Sequence, residues 1–231
     1  MAFRTTSASG EYRPKPTLAR VGNHLIVHSA IEDFDLTDCA DILLVGPPAL
    51  DPDWSVTDFE NWLTGNIIPK LNTIAKKDAV LIQICSDRKG GTWMKSIASA
   101  ALFQRFGWDI FRQVIWERQD ADFHRSKYAF NNIYFFRRGN RTTNAQSPLR
   151  YKDIIRVKGT PQASDGVWPE EVIELCLSLF IKQGDVVIDP FAGVGTATLV
   201  CEKLGFHSIS VELDQANFRQ ILKSLEGVIR K

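Results

Sequence analysis

The chain has 231 residues, a formal net charge of +1 and an apolar fraction of 44%. That length suits one domain with a single large core, or a domain with an appendage, and the near-neutral charge leaves nucleic-acid binding to be read from where charge lies. No run approaches the roughly 20 apolar residues of a membrane span, and the N-terminal MAFRTTSASGEYRPKPT lacks the apolar core of a secretory signal.

Residues 1–17 are polar, carry Arg4, Arg13 and Lys15, and read as a flexible arm. HLIVH (24–28) reads as a short strand. DILLV (41–45) is apolar without alternation, the mark of a strand buried on both faces of a parallel sheet. From 55 to 75 the apolar spacing is helical, with a break expected at Gly65 and Pro69. AVLIQIC (79–85) is another buried strand, followed by the loop SDRKGG and a helix over about 92–106. Strands near 110–116 and 132–136 form an expected antiparallel pair, and 137–166 lacks periodicity. Pro169 opens a helix at a first-turn position that tolerates a missing N–H. VVID (186–189), a helix from about Gly195 to Gly205, SISVE (208–212) and a helix over 215–229 follow. Strands alternating with helices predict an α/β fold with a doubly wound, mostly parallel sheet.

Cys39, Cys85, Cys176 and Cys201 are widely spaced and form no C-x-x-C pair. They read as reduced core thiols of a cytoplasmic protein, with no metal expected. The four histidines show no metal-ligand spacing either.

The strongest signal is DVVIDPFAGVGTATLVCEKLGFHSISVELD, residues 185–214. A buried strand ends at Asp189; Pro190, Phe191, Gly193, Gly195 and Thr196 follow and open a helix; the next strand ends at Glu212. The glycines let the backbone turn tightly and approach a ligand, and an acid at the end of the second strand suits a ribose diol. The third glycine of G-x-G-x-x-G is absent, since Thr198 stands there, and Asp189 would repel a pyrophosphate. A nucleoside joined to an amino acid fits, with Asp189 facing its cationic end.

That stretch resembles the D-P-F-x-G-S-G-T motif of the β-class, circularly permuted DNA amino-methyltransferases, with Val194 in place of Ser. VWPEEVIELCLSLFIKQGDVVIDPF is similar to the helix and strand that precede the motif, and Trp168-Pro169 takes the place of its K-P or F-P. LIQICSDR, FGWDIFRQVIWERQD and NNIYFFRRGN resemble further strands of the family, HLIVHSA its G-D-A strand, and LLVGPPA its D-P-P-Y or S-P-P-Y motif. The resemblance covers about residues 20–222. It implies a Rossmann-like class I methyltransferase fold over 18–231, with a catalytic half (18–136), a basic recognition segment (137–166) and a cofactor half (167–231). It also implies S-adenosyl-L-methionine as cofactor and DNA as partner. Ser29, Trp168, Pro169, Asp189, Pro190, Phe191, Gly193, Gly195, Thr196 and Glu212 would bind the cofactor.

In that family the first residue of the D-P-P-Y motif and a proline carbonyl accept hydrogen bonds from an exocyclic amine, and its aromatic fourth residue stacks on the flipped base. Gly46, Pro47, Pro48 and Ala49 occupy those positions, so the acceptor side chain and the stacking ring are both missing. Losing one preorganised acceptor costs on the order of 10² to 10³ in rate. Three accounts fit: Asp51, Asp53 or Trp54 substitutes from downstream; the chain is a silent, DNA-binding or partner-supporting subunit; or it methylates an acceptor needing no acidic side chain.

Residues 137–158 carry seven basic residues and one acid. Arg137, Arg138, Arg141, Arg150, Lys152, Arg156 and Lys158 could neutralise phosphates, and Asn140, Asn144 and Gln146 could reach base edges. Arg88, Lys89, Arg125 and Lys127 are further phosphate candidates. The segment is too short for a recognition domain, so strong specificity needs a homodimer, a partner subunit or other loops.

Overall fold

The structure, a computed structural model, describes residues 16–47, 55–85, 95–118, 130–158 and 167–230. The strand β3 (Ala40–Val45) explains the architecture. Ile42 and Leu44 point into one core, Leu43 and Val45 into the other, and all four are buried. A strand apolar on both faces is stable only inside a sheet covered on both sides.

Among the described residues nine strands form that sheet. In chain order they are β1 (Thr17–Val21), β2 (His24–His28), β3, β4 (Ala75–Cys85), β5 (Asp109–Arg118), β6 (Phe130–Arg137), β7 (Ile154–Val157), β8 (Val186–Asp189) and β9 (His207–Glu212). Their spatial order is β1-β2-β9-β8-β3-β4-β6-β5-β7. The last two strands in sequence thus lie between the second and third, the permuted order expected. Strands β2, β9, β8, β3 and β4 are mutually parallel, so their carboxyl ends share one edge. The expected antiparallel pair is β5/β6, and β6 also runs antiparallel to β4.

Helices α1 (Val56–Trp62), α2 (Ile68–Ile74) and α3 (Lys95–Arg105) pack on one face through Phe59, Leu71, Ile74 and Phe103. Helices α4 (Glu170–Ser178), α5 (Thr196–Leu204) and α6 (Gln215–Ile229) cover the other. Ser55 caps α1 in a reciprocal pair with Asp58. Gly205, at φ 76°, ends α5 in the left-handed conformation that favours glycine. The break expected at Gly65 and Pro69 is instead a π-helical turn, Leu63–Ile67, joining α1 to α2. Pro69 has no N–H for an i−4 bond, and the wider turn removes that demand without interrupting the helical path.

Three local expectations need correction. Thr17–Val21, at the end of the expected arm and just beyond it, is a strand: it pairs antiparallel with β2 across the two-residue turn Gly22-Asn23. The stretch 137–166 contains β7, which pairs parallel with β5. Pro169 is the cap before α4 rather than its first helical residue. His24 is fully buried because its ring bridges Ser208 (2.8 Å) and Glu202 (2.8 Å), tying β2 to β9 and α5.

At the amino edge of the parallel strands a buried ion cluster joins distant segments. The Arg141 guanidinium meets the Asp185 carboxylate, donates to the Phe180 carbonyl (3.1 Å) and lies 3.7 Å from Asp41. Asp41 accepts from Val186 N–H at 3.0 Å and from Lys76 at 2.7 Å. Burial raises the Asp185 carboxyl, while the Lys182 N–H and Arg141 hold it down. Removing the guanidinium would strand a buried carboxylate, at about 3–5 kcal/mol. Arg141→Ala is therefore expected to lower the urea midpoint with an unchanged slope; an unchanged midpoint would refute this structural role.

Candidate cofactor and methyl-acceptor site

Strand β8 ends between β9 and β3, and the turn after it is where the chain's chemistry gathers. Gly193 (φ 55°) and Gly195 (φ 86°) both take the left-handed conformation. Gly195 is constrained twice, because a Cβ there would lie 2.7 Å from Ile221 of α6. The turn is tied down by Gly195 N–H to the Ala192 carbonyl (2.8 Å) and Ala192 N–H to the Val211 carbonyl (3.0 Å). Thr196 then begins α5, and Pro190 is buried beneath the turn. Thr198, where a third glycine was absent, is buried with its hydroxyl 2.5 Å from that of Ser210. It is a packing contact between α5 and β9.

Two carboxyl groups flank this turn. Glu212 accepts from Gly193 N–H (2.6 Å) with one oxygen and from Asp214 N–H (2.7 Å) with the other. Asp189 accepts from Phe191 N–H at 3.0 Å. Both are buried. Burial pushes the Asp189 carboxyl up to about 7; the Phe191 N–H opposes this and the charge of Glu212 adds to it. Burial also raises Glu212, against the pull of the Asp214 and Gly193 N–H groups. A phosphate would find the Gly193 N–H already engaged by an anion and a second acid behind it. A cation beside Asp189 would instead relieve the cost of ionising it.

Ser29 joins the same place from β2. Its N–H donates to the Glu212 carbonyl (3.1 Å) and its hydroxyl to the Ala30 carbonyl (2.9 Å). Phe191 lies on the other side, 5.9 Å from Trp62, which closes α1. Trp62 is a site neighbour that the sequence reading missed, because its spacing with Phe59 and Leu63 made it look like core.

Gly46 follows the end of β3, and Pro47 after it is buried. The space that a side chain on Gly46 would use is filled by Trp168: a Cβ built there would lie 2.1 Å from both Cζ2 and Cη2 of the indole. Trp168 therefore sits at the β3 end, and Pro169 caps α4 beside it. Pro48, Ala49, Asp51, Asp53 and Trp54 fall outside the described residues, as do Arg88, Lys89, Arg125 and Lys127.

The basic segment does not gather at this edge. Arg137 pairs with Val80 in the sheet, whereas Asn132 pairs with Cys85 at the carboxyl end of β4, so Arg137 and Arg138 leave from the opposite edge. Arg137 stacks on Phe111 and Arg138 on Trp108. Arg141 is buried in the ion cluster, which replaces the phosphate contact expected of it. The carbonyls of Arg150 and Lys152 accept from Arg112, in the turn leading to β7. Arg156 pairs with Glu117 at 2.9 Å, and exposed Lys158 follows the end of β7, alongside the carboxyl end of β5.

Among the described residues no group of acids, cysteines and histidines could hold a metal, and no helix is long and apolar enough to cross a membrane. Comparison with known proteins gives the site a context. The chain is 23% identical over 59% of its length to the type II methyltransferase M2.DpnII of Streptococcus pneumoniae, and 22% identical over 58% to M2.LlaDCHI of Lactococcus lactis subsp. cremoris. It spans about half the length of these curated relatives. Its fold matches the cytosine-N4-specific PvuII DNA methyltransferase, with a TM-score of 0.71 at 14% identity, covering 90% of this chain and 92% of that one. It also matches TTHA0409 of Thermus thermophilus, solved with S-adenosyl-L-methionine, with a TM-score of 0.65 at 17% identity over 85% and 89% of the two chains. The fold is thus that of the class I methyltransferases. The family model described as DNA methylase matches residues 49–223, well over half of the sequence, and the chain belongs to that N6/N4 DNA methylase family.

Proposed function

We propose that the chain transfers the methyl group of S-adenosyl-L-methionine to an exocyclic amine of a DNA base, adenine N6 or cytosine N4. The observation that carries this reading is the glycine turn whose Gly193 N–H is held by Glu212 beside the buried Asp189. That pair of accepting carboxylates fits a nucleoside bearing a cation and disfavours a phosphorylated one. Family membership over residues 49–223 supports the same reaction.

Each residue then has a physical task. Glu212, its carboxylate oriented by two backbone N–H groups, would accept from a ribose diol. Ser29 would offer a hydroxyl to the adenine edge, more weakly than a carboxylate. Asp189 would balance the cationic amino-acid end. Phe191, braced by Trp62, would wall the pocket. The cofactor supplies an electrophilic methyl on a sulfonium. The chain's share is to hold the amine in line with it and keep water out. One backbone carbonyl of the Gly46-Pro47-Pro48 stretch would accept from that amine in place of the missing side chain.

We assign the family resemblance's three regions to 18–136, 137–166 and 167–231, with cytoplasmic DNA as the substrate. Arg156 and Lys158 are the members of the basic segment nearest the site edge. Sequence recognition would draw on a second copy or a partner subunit.

Mass analysis of nucleosides from unmethylated DNA incubated with protein and cofactor should reveal N6-methyladenine or N4-methylcytosine. Calorimetry showing no cofactor binding at millimolar concentration would reject the enzyme reading; tight binding without transfer would favour a silent subunit. Glu212→Gln is expected to weaken cofactor binding by about 10-fold or more, the worth of a charge-assisted hydrogen bond. Asp189 predicts a pH signature without cofactor. Its folded-state value, about 7, is above the ordinary 3.8, so its contribution is full below the ordinary value and lost as pH rises through 7. Asp189→Asn should therefore melt several degrees above wild type at pH 8 and match it near pH 4. Equal melting at pH 8 would contradict this.

A further inference from the structure

Gly46 and Trp168 are far apart in the chain, yet one shapes the other. The added Cβ at Gly46 would be 2.1 Å from Cζ2, 2.1 Å from Cη2 and 3.4 Å from Cε2. Equal short distances to two bonded ring atoms and a much longer one to the next place it beyond the ring edge, close to the ring plane. The indole therefore meets the strand end edge-on, and its two faces are turned to either side. No side chain fits at position 46 while the ring is there, because a rigid indole cannot yield as a flexible chain end would.

Two fully buried indoles, Trp108 and Trp116, show what a core tryptophan does here. The Trp108 N–H donates to Asn72 at 2.7 Å and the Trp116 N–H to the Val157 carbonyl at 3.2 Å. Trp168 is different: it is half-buried, and its N–H has no hydrogen-bond partner among the described residues. One edge is braced against β3 and the ring packs on the apolar layer under α4, yet the side chain is not fully enclosed. An indole that is braced on one edge but not fully enclosed has ring surface available to a ligand.

We infer that Trp168 is the aromatic surface on which this chain seats the base that accepts the methyl group, and that Gly46 is glycine to admit that ring. The inference rests on the methyl-transfer reading above. It explains why two motif residues change together: the ring absent at Ala49 comes from the segment before α4, and its edge takes the volume of the side chain absent at Gly46. The base would stack on one indole face. This departs from the sequence expectation that Trp168 lines the cofactor.

Steady-state kinetics with unmethylated DNA and calorimetry with cofactor separate the two roles. Trp168→Ala should lower kcat/KM for DNA about 10- to 100-fold, the loss of one base–aromatic stack, and leave the cofactor Kd within about 3-fold. Trp168→Phe should recover most of the activity. Gly46→Ala should impair wild type but add little in the Trp168→Ala background, since the ring it collides with is gone. Wild-type activity in Trp168→Ala, or a cofactor Kd raised as much as kcat/KM falls, would overturn the inference. DNAs carrying 5-iodocytosine or 8-azidoadenine give a readout that needs no turnover: irradiation of one of them should attach it to Trp168, and adducts only at other residues with both would equally overturn the platform. If wild type forms no methylated nucleoside, methyl transfer fails while the cross-link still decides where the base stacks.

Discussion

The site depends on one constraint: β8 must lie between β9 and β3 with all three strands parallel. Ile188 pairs with Leu43 on one side and with Ile209 on the other. That register brings the end of β3, the glycine turn and the acid at the end of β9 to one edge, although the first and the last two are far apart in the chain. The register is held by two cores. Val187 and Ile188 face opposite layers, and a slip of one residue would exchange them. At the far edge the Arg141–Asp185–Asp41 cluster fixes the starts of the same strands. Packing holds the middle of the strands, charge holds one end, and the other end is left for chemistry.

The same arrangement explains why the carboxyl edge tolerates two buried acids. Asp189 and Glu212 are each anchored by backbone N–H groups of the turn they flank. The turn positions them at the cost of ionising them away from water. A site that holds a cation recovers this cost only when the cation is present, so stability without ligand and affinity for it are opposed in the same side chains.

Much of this was legible in the sequence, for identifiable reasons. Uninterrupted apolar runs gave β3, β4 and β8, since strands buried on both faces carry their signature in every residue. The glycine turn was legible because positive φ and close approach restrict the residue choice. β1 was not, because its residues are mostly exposed and its strand character comes from pairing with β2; the two-residue Gly22-Asn23 turn was the available cue. β7 is short and is defined by a partner distant in the chain. Arg141 looked like a phosphate ligand because its neighbours in sequence are basic, while the acids that claim it, Asp41 and Asp185, are distant in the chain. Gly46 looked like a loss; only the fold shows the indole that takes its place.

The π-helical turn between α1 and α2 has a bearing on how such a pocket can diverge. Each residue of a helix advances its side chain by about 100°, so the one extra residue in a π turn re-aims the residues before it relative to those after it. Here the residues before it include Trp62, which abuts Phe191, while α2 stays docked through Leu71 and Ile74. Descent with a single-codon deletion near Gly65 would swing the indole off that phenyl ring without altering any pocket side chain. Length variation in this helix is therefore a route to a reshaped wall that a substitution-by-substitution comparison of relatives would overlook.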